Sequence, residues 1–266
     1  MSLPTLFISH GSPMEALDAG AAGQAWRLLG QTLPTPAAIV VVSAHFDTPV
    51  PVFGTAERPA TVHDFYGFPE ALYRLSYPAP GAPALAETLA QGLREQGWEA
   101  RTAEQGLDHG AWVPLRYLYP DARIPVVPLS MSADRGPDYH FALGQALAPL
   151  LPADTLLIGS GSLTHNLGDF RRGGSDAPDY VTAFQAWIQE RLRERDLEAL
   201  LDYRRRAPHA RQAHPTDEHL LPLFVALGAA AAEGEFRIHH DGIAHRVLAM
   251  DVYGFSRREP VQCLAS

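Results

Sequence analysis

The sequence has little cysteine and little charge, and it has no long apolar run. Cys263 is its one cysteine, so neither an internal disulfide nor a metal site built from several cysteines is expected. No segment approaches the ~20 apolar residues that a membrane-spanning helix needs. The first residues, MSLPTLFISHG, lack the basic stretch and long apolar run of a secretion signal. We therefore expect a cytoplasmic protein without a membrane partner.

Basic residues are also scarce, with 21 Lys and Arg against 30 Asp and Glu and a formal net charge of −9. Surfaces that bind nucleic acid carry an excess of positive charge, so no nucleic-acid partner is expected. The 46% hydrophobic content is ordinary for a globular protein. Because the Pro- and Gly-rich stretches 49–59 and 77–83 are short enough to be loops, we expect one domain over residues 1–266. A monomer or small homo-oligomer is expected.

Short apolar runs alternate with amphipathic ones along the chain. The apolar runs predict strands that are buried on both faces, and the amphipathic runs predict helices. This alternation favours an α/β fold with a central, mostly parallel sheet flanked by helices. The predicted strands are Thr5–Ser9, Ala38–Ser43, Ile124–Leu129 and Thr155–Ile158, and the predicted helices are Ala82–Gln96, Tyr139–Leu151 and Tyr180–Leu192.

The C-terminal part of the sequence has a different pattern. Phe236–His239 and Arg246–Phe255 are predicted to be two antiparallel strands around a turn at Asp241 and Gly242. The Arg-rich segment Arg204–Arg211 is predicted to be an exposed connection.

Three histidines stand at the ends of predicted strands. His10 follows TLFIS directly, His45 follows AIVVVS after one further residue, and His165 follows TLLIGSGSLT. Ligands of open α/β sheets bind beyond the carboxyl ends of the strands, where these side chains are expected to meet. The sequence therefore predicts a shared site at this edge of the sheet.

A fourth histidine, His219, lies in the segment HPTDEH. Thr216 is a suitable N-cap, and Pro222 is tolerated near a helix start, so we expect His219 in the first turn of a helix that runs through Leu227. Neutral imidazoles are common ligands of zinc and iron, and four of them predict a metal site. The alternative for each of these four is a hydrogen-bonded loop residue. The remaining histidines without such a context are expected to be surface or structural residues: His140, His209, His214, His239, His240 and His245.

Two further segments combine histidine with aromatic or glycine residues. Residues 62–69, VHDFYGFP, contain His63 beside a carboxylate and three aromatic rings, and residues 106–112, GLDHGAW, place His109 between glycines. Loop, capping and packing roles are the alternative for both. The run Gly159–Ser162 lacks the endings of a phosphate loop and of a nucleophile elbow.

Six segments together resemble the class III, or LigB-like, extradiol ring-cleaving dioxygenases, and within them the DOPA 4,5-dioxygenase-type branch. They run in the family's order from Phe7 to Ala229. The segments are FISHGSPMEAL, IVVVSAHFDT, VHDFYGFPEALYRLSYPAPG, GLDHGAWVPL with the downstream YPDARIPVVPLSM, GSGSLTHNL and HPTDEHLLPLFVALGA.

This resemblance implies roles for individual residues. His10 and His45 match metal ligands, and His219 completes the site where more distant relatives have a glutamate. His165 matches a histidine that is a catalytic base in some relatives and a fourth metal ligand in others. His109 matches a histidine that contacts substrate or oxygen, and His63 lies in the segment expected to line the substrate pocket.

The resemblance implies a non-haem enzyme that opens a catecholic, DOPA-like ring beside the diol with O2. Its cofactor is then one divalent metal, Fe(II) for activity or Zn(II) as bound. Non-haem Fe(II) oxygenases usually have two histidines and one carboxylate, whereas an all-histidine set also suits zinc. A zinc enzyme of another class, such as a hydrolase, and a non-enzymatic metal- or protein-binding relative are the alternatives.

Overall fold

Parallel strands form the centre of the structure, which is a computed structural model that describes residues 3–172, 176–231 and 234–257. Within these residues the strands are β1 Thr5–Ser9, β2 Ala38–Asp47, β3 Val52–Gly54, β4 Arg101–Ala103, β5 Val126–Met131, β6 Thr155–Gly161, β7 Phe236–His240, β8 Ile243–Ala244, β9 Leu248–Ala249 and β10 Val252–Phe255. The helices are α1 Gly20–Thr32, α2 Glu70–Tyr73, α3 Pro83–Glu95, α4 His109–Leu118, α5 Pro137–Leu147, α6 Leu167–Arg172, α7 Asp179–Glu194, α8 Leu197–Leu201, α9 Tyr203–Arg206, α10 Ala210–Ala213 and α11 Leu221–Gly228.

The main sheet has eight strands in the order β4-β3-β5-β2-β6-β1-β10-β7. Its four central strands, β5, β2, β6 and β1, are parallel, and every residue of β1, β5 and β6 is buried. β10 and β7 continue the sheet in antiparallel fashion. The predicted α/β class with a mostly parallel central sheet is confirmed, and the boundary of the domain at 1–266 stays a prediction.

Helices cover both faces of β6, and the alternation of its side chains shows which helix lies on which face. The Ser160 hydroxyl donates a hydrogen bond to the backbone carbonyl of Gly110 in α4. The neighbouring glycines of β6, Gly159 and Gly161, instead face the backbone of residues 219–222, which lead into α11. Successive residues of a strand point to opposite faces, so α4 and α11 lie on opposite sides of the sheet.

Several predicted boundaries are wrong. β2 continues to Asp47, which pairs with Met131, so His45 lies inside the strand and not beyond it. The predicted strand Arg246–Phe255 is divided into β9 and β10, and its first residue, Arg246, has a left-handed φ of 66°. The 49–59 loop contains β3, a short strand that pairs with β4 and that the sequence pattern did not predict.

The helix expected at Thr216 begins only at Leu221. The Thr216 hydroxyl donates to Glu218 Oε1, so it does not cap a helix, and His219 precedes the helix. The Arg-rich connection contains two short helices, α9 and α10. It is only partly exposed, because Ala207 and Ala210 are buried. Among the described residues, no helix is both long and apolar enough to span a membrane.

Candidate active site

His10 comes directly after β1, where the chain leaves the sheet. Its backbone N–H donates to the carbonyl of Gly161, and Gly11 turns the chain away with a left-handed φ of 73°. The ring nitrogen Nδ1 lies 3.0 Å from Ser160 Oγ. Because the Ser160 hydroxyl already donates to Gly110, its oxygen is the acceptor for a proton on His10 Nδ1. This arrangement leaves a lone pair on His10 Nε2.

His45 lies near the end of β2, between two other predicted ligands, His10 and His219. Its Nε2 is 3.1 Å from Nε2 of His10 and 3.3 Å from Nε2 of His219. Its Nδ1 is 3.4 Å from Oδ2 of Asp64. A carboxylate beside Nδ1 favours the tautomer in which Nε2 is the free lone pair.

His219 is held against the sheet in the turn before α11. Its backbone carbonyl accepts a hydrogen bond from Ser162, and it passes so close to Gly161 that a Cβ there would be 2.0 Å from the carbonyl oxygen. Its Nδ1 lies 3.0 Å from Oε1 of Glu218. The sequence therefore needs glycine at position 161 for His219 to reach the other histidines.

The arrangement of these three rings fits one divalent metal ion. Ligand nitrogens bound tetrahedrally to zinc at about 2.05 Å lie about 3.3 Å apart, which is close to the two Nε2 separations at His45. Nitrogen lone pairs at these distances repel one another unless a cation lies between them. The donor set of neutral imidazoles, each with an acceptor beside Nδ1, is typical of metal-binding histidines.

Burial keeps the predicted ligands uncharged. Desolvation, reinforced by neighbouring histidines, holds the pKa values of His10 and His219 well below the ordinary value of an imidazole. The same desolvation lowers the pKa of His45 to about 3, although the nearby Asp64 acts in the opposite direction. A metal ion competes with protons for these nitrogens, so rings that are neutral at neutral pH are ready to bind it.

His165 lies beside His219, and the two rings are stacked with centroids 3.5 Å apart and planes only 12° from parallel. Its backbone N–H is fixed by the carbonyl of Ala213. Burial lowers the pKa of His165 to about 4, although the nearby Glu218 acts in the opposite direction. The ring is therefore neutral at neutral pH.

His109 is the first residue of α4, and its ring lies 4.0 Å from that of His45 and 5.3 Å from that of His10, centroid to centroid. One carboxylate, Asp64, accepts hydrogen bonds from both its backbone N–H and its ring Nδ1. Burial would raise the pKa of Asp64, but the hydrogen bonds that the ring and backbone of His109 donate to it act in the opposite direction, and the pKa is about 2. Asp64 is therefore ionised at neutral pH.

Possible ligand atoms form two neighbouring groups, His10–His45–His109 and His165–Glu218–His219. Within each group these atoms lie within 4.8 Å of one another, and the contact between His45 and His219 joins the groups. The structure thus brings together all four predicted ligands and His109.

His63 lies outside this cluster. Its Nε2 donates to the carbonyl of Leu75, and its ring packs against Phe65, Tyr73 and Trp112. Phe65 also contacts His109, with ring centroids 5.7 Å apart. His63 therefore belongs to an aromatic wall that is one ring removed from the cluster.

Sequence reasoning missed the groups that orient the rings, which are Asp64, Ser160 and Glu218. Asp64 directly follows His63, and Glu218 directly precedes His219. Their position next to candidate histidines is the sequence signal that identifies them. Ser160 had no such signal, because it lies 150 residues from His10. Of the histidines expected to be structural, His214 and His140 are fully buried and hydrogen-bonded to backbone groups.

A cavity of about 390 Å³ lies away from the histidines and contains none of them. It includes Phe255, which pairs with the first residue of β1, so it lies toward the opposite end of that strand from His10. Its lining is largely apolar, and this cavity is separate from the histidine cluster.

Comparisons with known proteins identify the family. The family model described as the catalytic LigB subunit of aromatic ring-opening dioxygenase matches residues 4–255. The 4,5-DOPA dioxygenase extradiol of Escherichia coli K12 is 39% identical over 255 residues, with 93% of each chain covered. That of Beta vulgaris is 37% identical over 260 residues, with 95% of this chain and 96% of the relative covered.

A solved structure has the same fold. It is the crystal structure of an uncharacterized protein from Escherichia coli K12, with a TM-score of 0.80 and 33% sequence identity, and the match covers 96% of this chain and all of the other. The family and branch that the six segments suggested are therefore confirmed. The chain belongs to the LigB family of aromatic ring-opening dioxygenases, in the branch of the 4,5-DOPA dioxygenase extradiol proteins.

Proposed function

We propose that this protein opens the ring of a catecholic, DOPA-like substrate at the extradiol position with O2. The observation that carries the proposal is the convergence of the Nε2 atoms of His10, His45 and His219, with His109 and His165 beside them. Its relatives named 4,5-DOPA dioxygenase extradiol support the choice of substrate class.

In extradiol cleavage, the bond between one hydroxyl-bearing carbon and its neighbour outside the diol breaks. Both atoms of O2 enter the product, and the ring becomes an open chain with an aldehyde at one end and a carboxylate at the other. The catechol must lose protons for this reaction, and a phenol has an ordinary pKa near ~10. The protein therefore has to help remove protons from the diol.

His10, His45 and His219 would hold the metal ion through their Nε2 atoms. When bound, a divalent metal supplies the positive charge that stabilises the substrate oxyanion. We propose Fe(II) as the ion that supports turnover. Zn(II) also suits three neutral imidazoles and is the ion we expect when iron is scarce.

His165 would act as the base. Its low pKa keeps it unprotonated at neutral pH, and its stacking on His219 places it beside a ligand without using the ligand's lone pair. It would accept the proton of the second hydroxyl of the catechol. His109 would exchange a proton at Nε2 with the reacting oxygen, because its Nδ1 is already bonded to Asp64.

The aromatic wall would hold the ring of the substrate. Phe65 contacts His109 on one side and His63 on the other, and Trp112 closes the wall behind His63. Flat apolar side chains of this kind exclude water and stack on an aromatic ligand. His63 is proposed as a substrate-binding residue through this wall.

The reaction can be tested with protein that is reconstituted anaerobically with Fe(II). We expect O2 uptake in the presence of DOPA and a new yellow absorbance of a semialdehyde-type product. Protein loaded with Zn(II) is the control and should consume no O2. Tightly held zinc with no O2 consumption across a panel of catechols would contradict the proposal and favour a hydrolytic zinc enzyme.

We further propose that the whole chain works as one catalytic domain in the cytoplasm, as a monomer or small homo-oligomer, without nucleic-acid or membrane partners. The acidic composition and the lone cysteine support this proposal. Light scattering of the purified protein would measure the oligomeric state.

A further inference from the structure

The carboxylate of Asp64 contacts both the backbone and the ring of His109. Oδ1 of Asp64 is 2.8 Å from the backbone nitrogen of His109, and Oδ2 is 2.9 Å from its ring Nδ1. The backbone bond satisfies an N–H at the start of α4 that has no partner within the helix. The ring bond, made by the same carboxylate, fixes the rotation of the imidazole.

The loop that carries Asp64 is attached to the segment that carries His109. The backbone N–H of Val62 donates to the carbonyl of Leu107, at 2.7 Å. The indole N–H of Trp112 donates to the carbonyl of Val62, at 2.9 Å. Val62, two residues before Asp64, is therefore bonded to residues on either side of His109.

An ionised carboxylate only accepts hydrogen bonds. The nitrogen that faces Asp64 must therefore carry a proton, which makes Nδ1 the protonated nitrogen of His109. Oδ2 of the same carboxylate also lies 3.4 Å from Nδ1 of His45, which is a proposed metal ligand. One side chain thus touches two of the rings at the site.

We propose that Asp64 is a positioning residue for ring opening. It keeps Nδ1 of His109 protonated and bonded, so that Nε2 is the nitrogen that exchanges a proton with the reactants. The effect on turnover rests on the proposed function, whereas the protonation of Nδ1 does not. The two parts can therefore be tested separately.

Asp64→Asn is the informative substitution. If the amide oxygen accepts the backbone N–H of His109, the amide NH2 must face the ring, where it requires an unprotonated Nδ1. The substitution should therefore move the proton of neutral His109 from Nδ1 to Nε2 with almost no change in volume. The matched control is Asp196→Asn, since Asp196 also accepts a backbone N–H, that of Ala199 at the start of α8.

Nitrogen-15 NMR of the histidine rings in Zn(II)-loaded protein would read the protonated nitrogen directly, with His109→Ala used to assign the signals. We expect a protonated Nδ1 in the parent protein and in Asp196→Asn, and an unprotonated Nδ1 in Asp64→Asn at pH 8.5. Because Asp64 also lies 3.4 Å from Nδ1 of the proposed ligand His45, kcat is compared per bound iron, and we expect it to fall about 10- to 100-fold in Fe(II)-loaded Asp64→Asn, the usual effect of removing a group that orients a histidine at a metal site.

A double-mutant cycle would show whether Asp64 acts through His109. In the His109→Ala background, Asp64→Asn should cause almost no further loss of kcat. An equal loss in both backgrounds would overturn the inference, as would an unprotonated Nδ1 in the parent protein, an unchanged tautomer in Asp64→Asn, or a kcat per bound iron equal to that of the parent. A tautomer that switches as expected in a protein that opens no catechol would instead support the positioning and reject the proposed function.

Discussion

At the scale of single residues, the chemistry of each proposed ligand depends on what touches its second ring nitrogen. Ser160 contacts Nδ1 of His10, and Glu218 contacts Nδ1 of His219. Each of these oxygens favours a protonated Nδ1 and therefore a free Nε2. Because the rings are buried and neutral, their Nε2 atoms are suited to a metal ion and poorly suited to protons.

The ligand assignment predicts the effect of removing one ring. His10→Ala and His45→Ala should each lower the metal content to near background, because the remaining nitrogens no longer surround the ion. Mass spectrometry of the purified variants would measure bound zinc and iron. His239→Ala, which changes an exposed histidine of β7, is the control and should keep its metal. Full metal occupancy in both ligand variants would refute the assignment.

His165 is expected to behave differently from the ligands. His165→Ala should retain the metal and lower kcat about 10²- to 10⁴-fold, because a positioned base contributes about that much to proton transfer. Metal analysis and O2 uptake on the same Fe(II)-loaded preparation would separate the two effects. Loss of metal from this variant would identify His165 as a fourth ligand.

At the scale of elements, two glycines of β6 allow α11 and the turn before it to come close to the sheet. The carbonyl of Pro222 would be 2.2 Å from a Cβ at Gly159, and that of His219 would be 2.0 Å from a Cβ at Gly161. No side chain fits at either position without moving the backbone opposite. These two glycines therefore allow the turn that holds His219 to rest directly on the strand.

Gly161→Ala should consequently damage both stability and metal binding. We expect the free energy of unfolding to fall by about 1–3 kcal/mol, the usual cost of inserting atoms into a packed core, together with loss of bound zinc as His219 is displaced. Urea unfolding and metal analysis would measure these effects.

Gly136→Ala is the matched control, because a Cβ there meets no atom within 4 Å. It sits at the N-cap of α5, so we expect a loss of about 0.5 kcal/mol and no loss of zinc. A Gly161→Ala protein as stable and as zinc-loaded as this control would contradict the role given to β6.

The elements also show where local sequence signals were overruled. Thr216 has the chemistry of an N-cap, but the carbonyl of His219 bonds to Ser162 of the neighbouring segment, and the helix starts after this contact. β2 extends past its apolar run because Asp47 pairs with Met131 of β5. In both cases a contact distant in sequence set a boundary that the local pattern placed elsewhere.

At the scale of the whole molecule, one buried carboxyl group makes folding depend on pH. Asp251 joins α7 to the antiparallel part of the sheet, because it accepts hydrogen bonds from Gln185, Gln189 and Tyr253. Burial raises its pKa to about 6, although these donors act in the opposite direction. The folded protein therefore holds this proton more tightly than the unfolded chain does.

The stabilisation from this proton is complete below the ordinary carboxyl pKa and is lost as the pH rises through about 6. We expect the difference in unfolding free energy between the parent protein and Asp251→Asn to fall by roughly 2 kcal/mol between pH 4 and pH 7, since one pKa unit corresponds to about 1.4 kcal/mol. Urea unfolding at several pH values would measure it. The histidines are common to both proteins, so their contribution cancels. A difference that stays constant with pH would contradict the prediction.

The sequence by itself determined the class of fold and the position of the chemistry. The buried strands were visible as apolar runs, and histidines directly after or near the ends of such runs must meet at one edge of a parallel sheet. His10, His45 and His165 were found in this way. These signals are local, because strand pattern and strand end depend only on neighbouring residues.

Only the tertiary structure decided which atoms orient the rings and how far His219 is from its neighbours. Ser160 lies 150 residues from His10, and Asp64 lies 45 residues from His109, so no local pattern connects them. Their contacts depend on strand register, on the glycines that let α11 approach, and on the attachment of the Asp64 loop to α4. Hydrogen bonds act over about 3 Å, so only the folded chain determines which groups come within that distance.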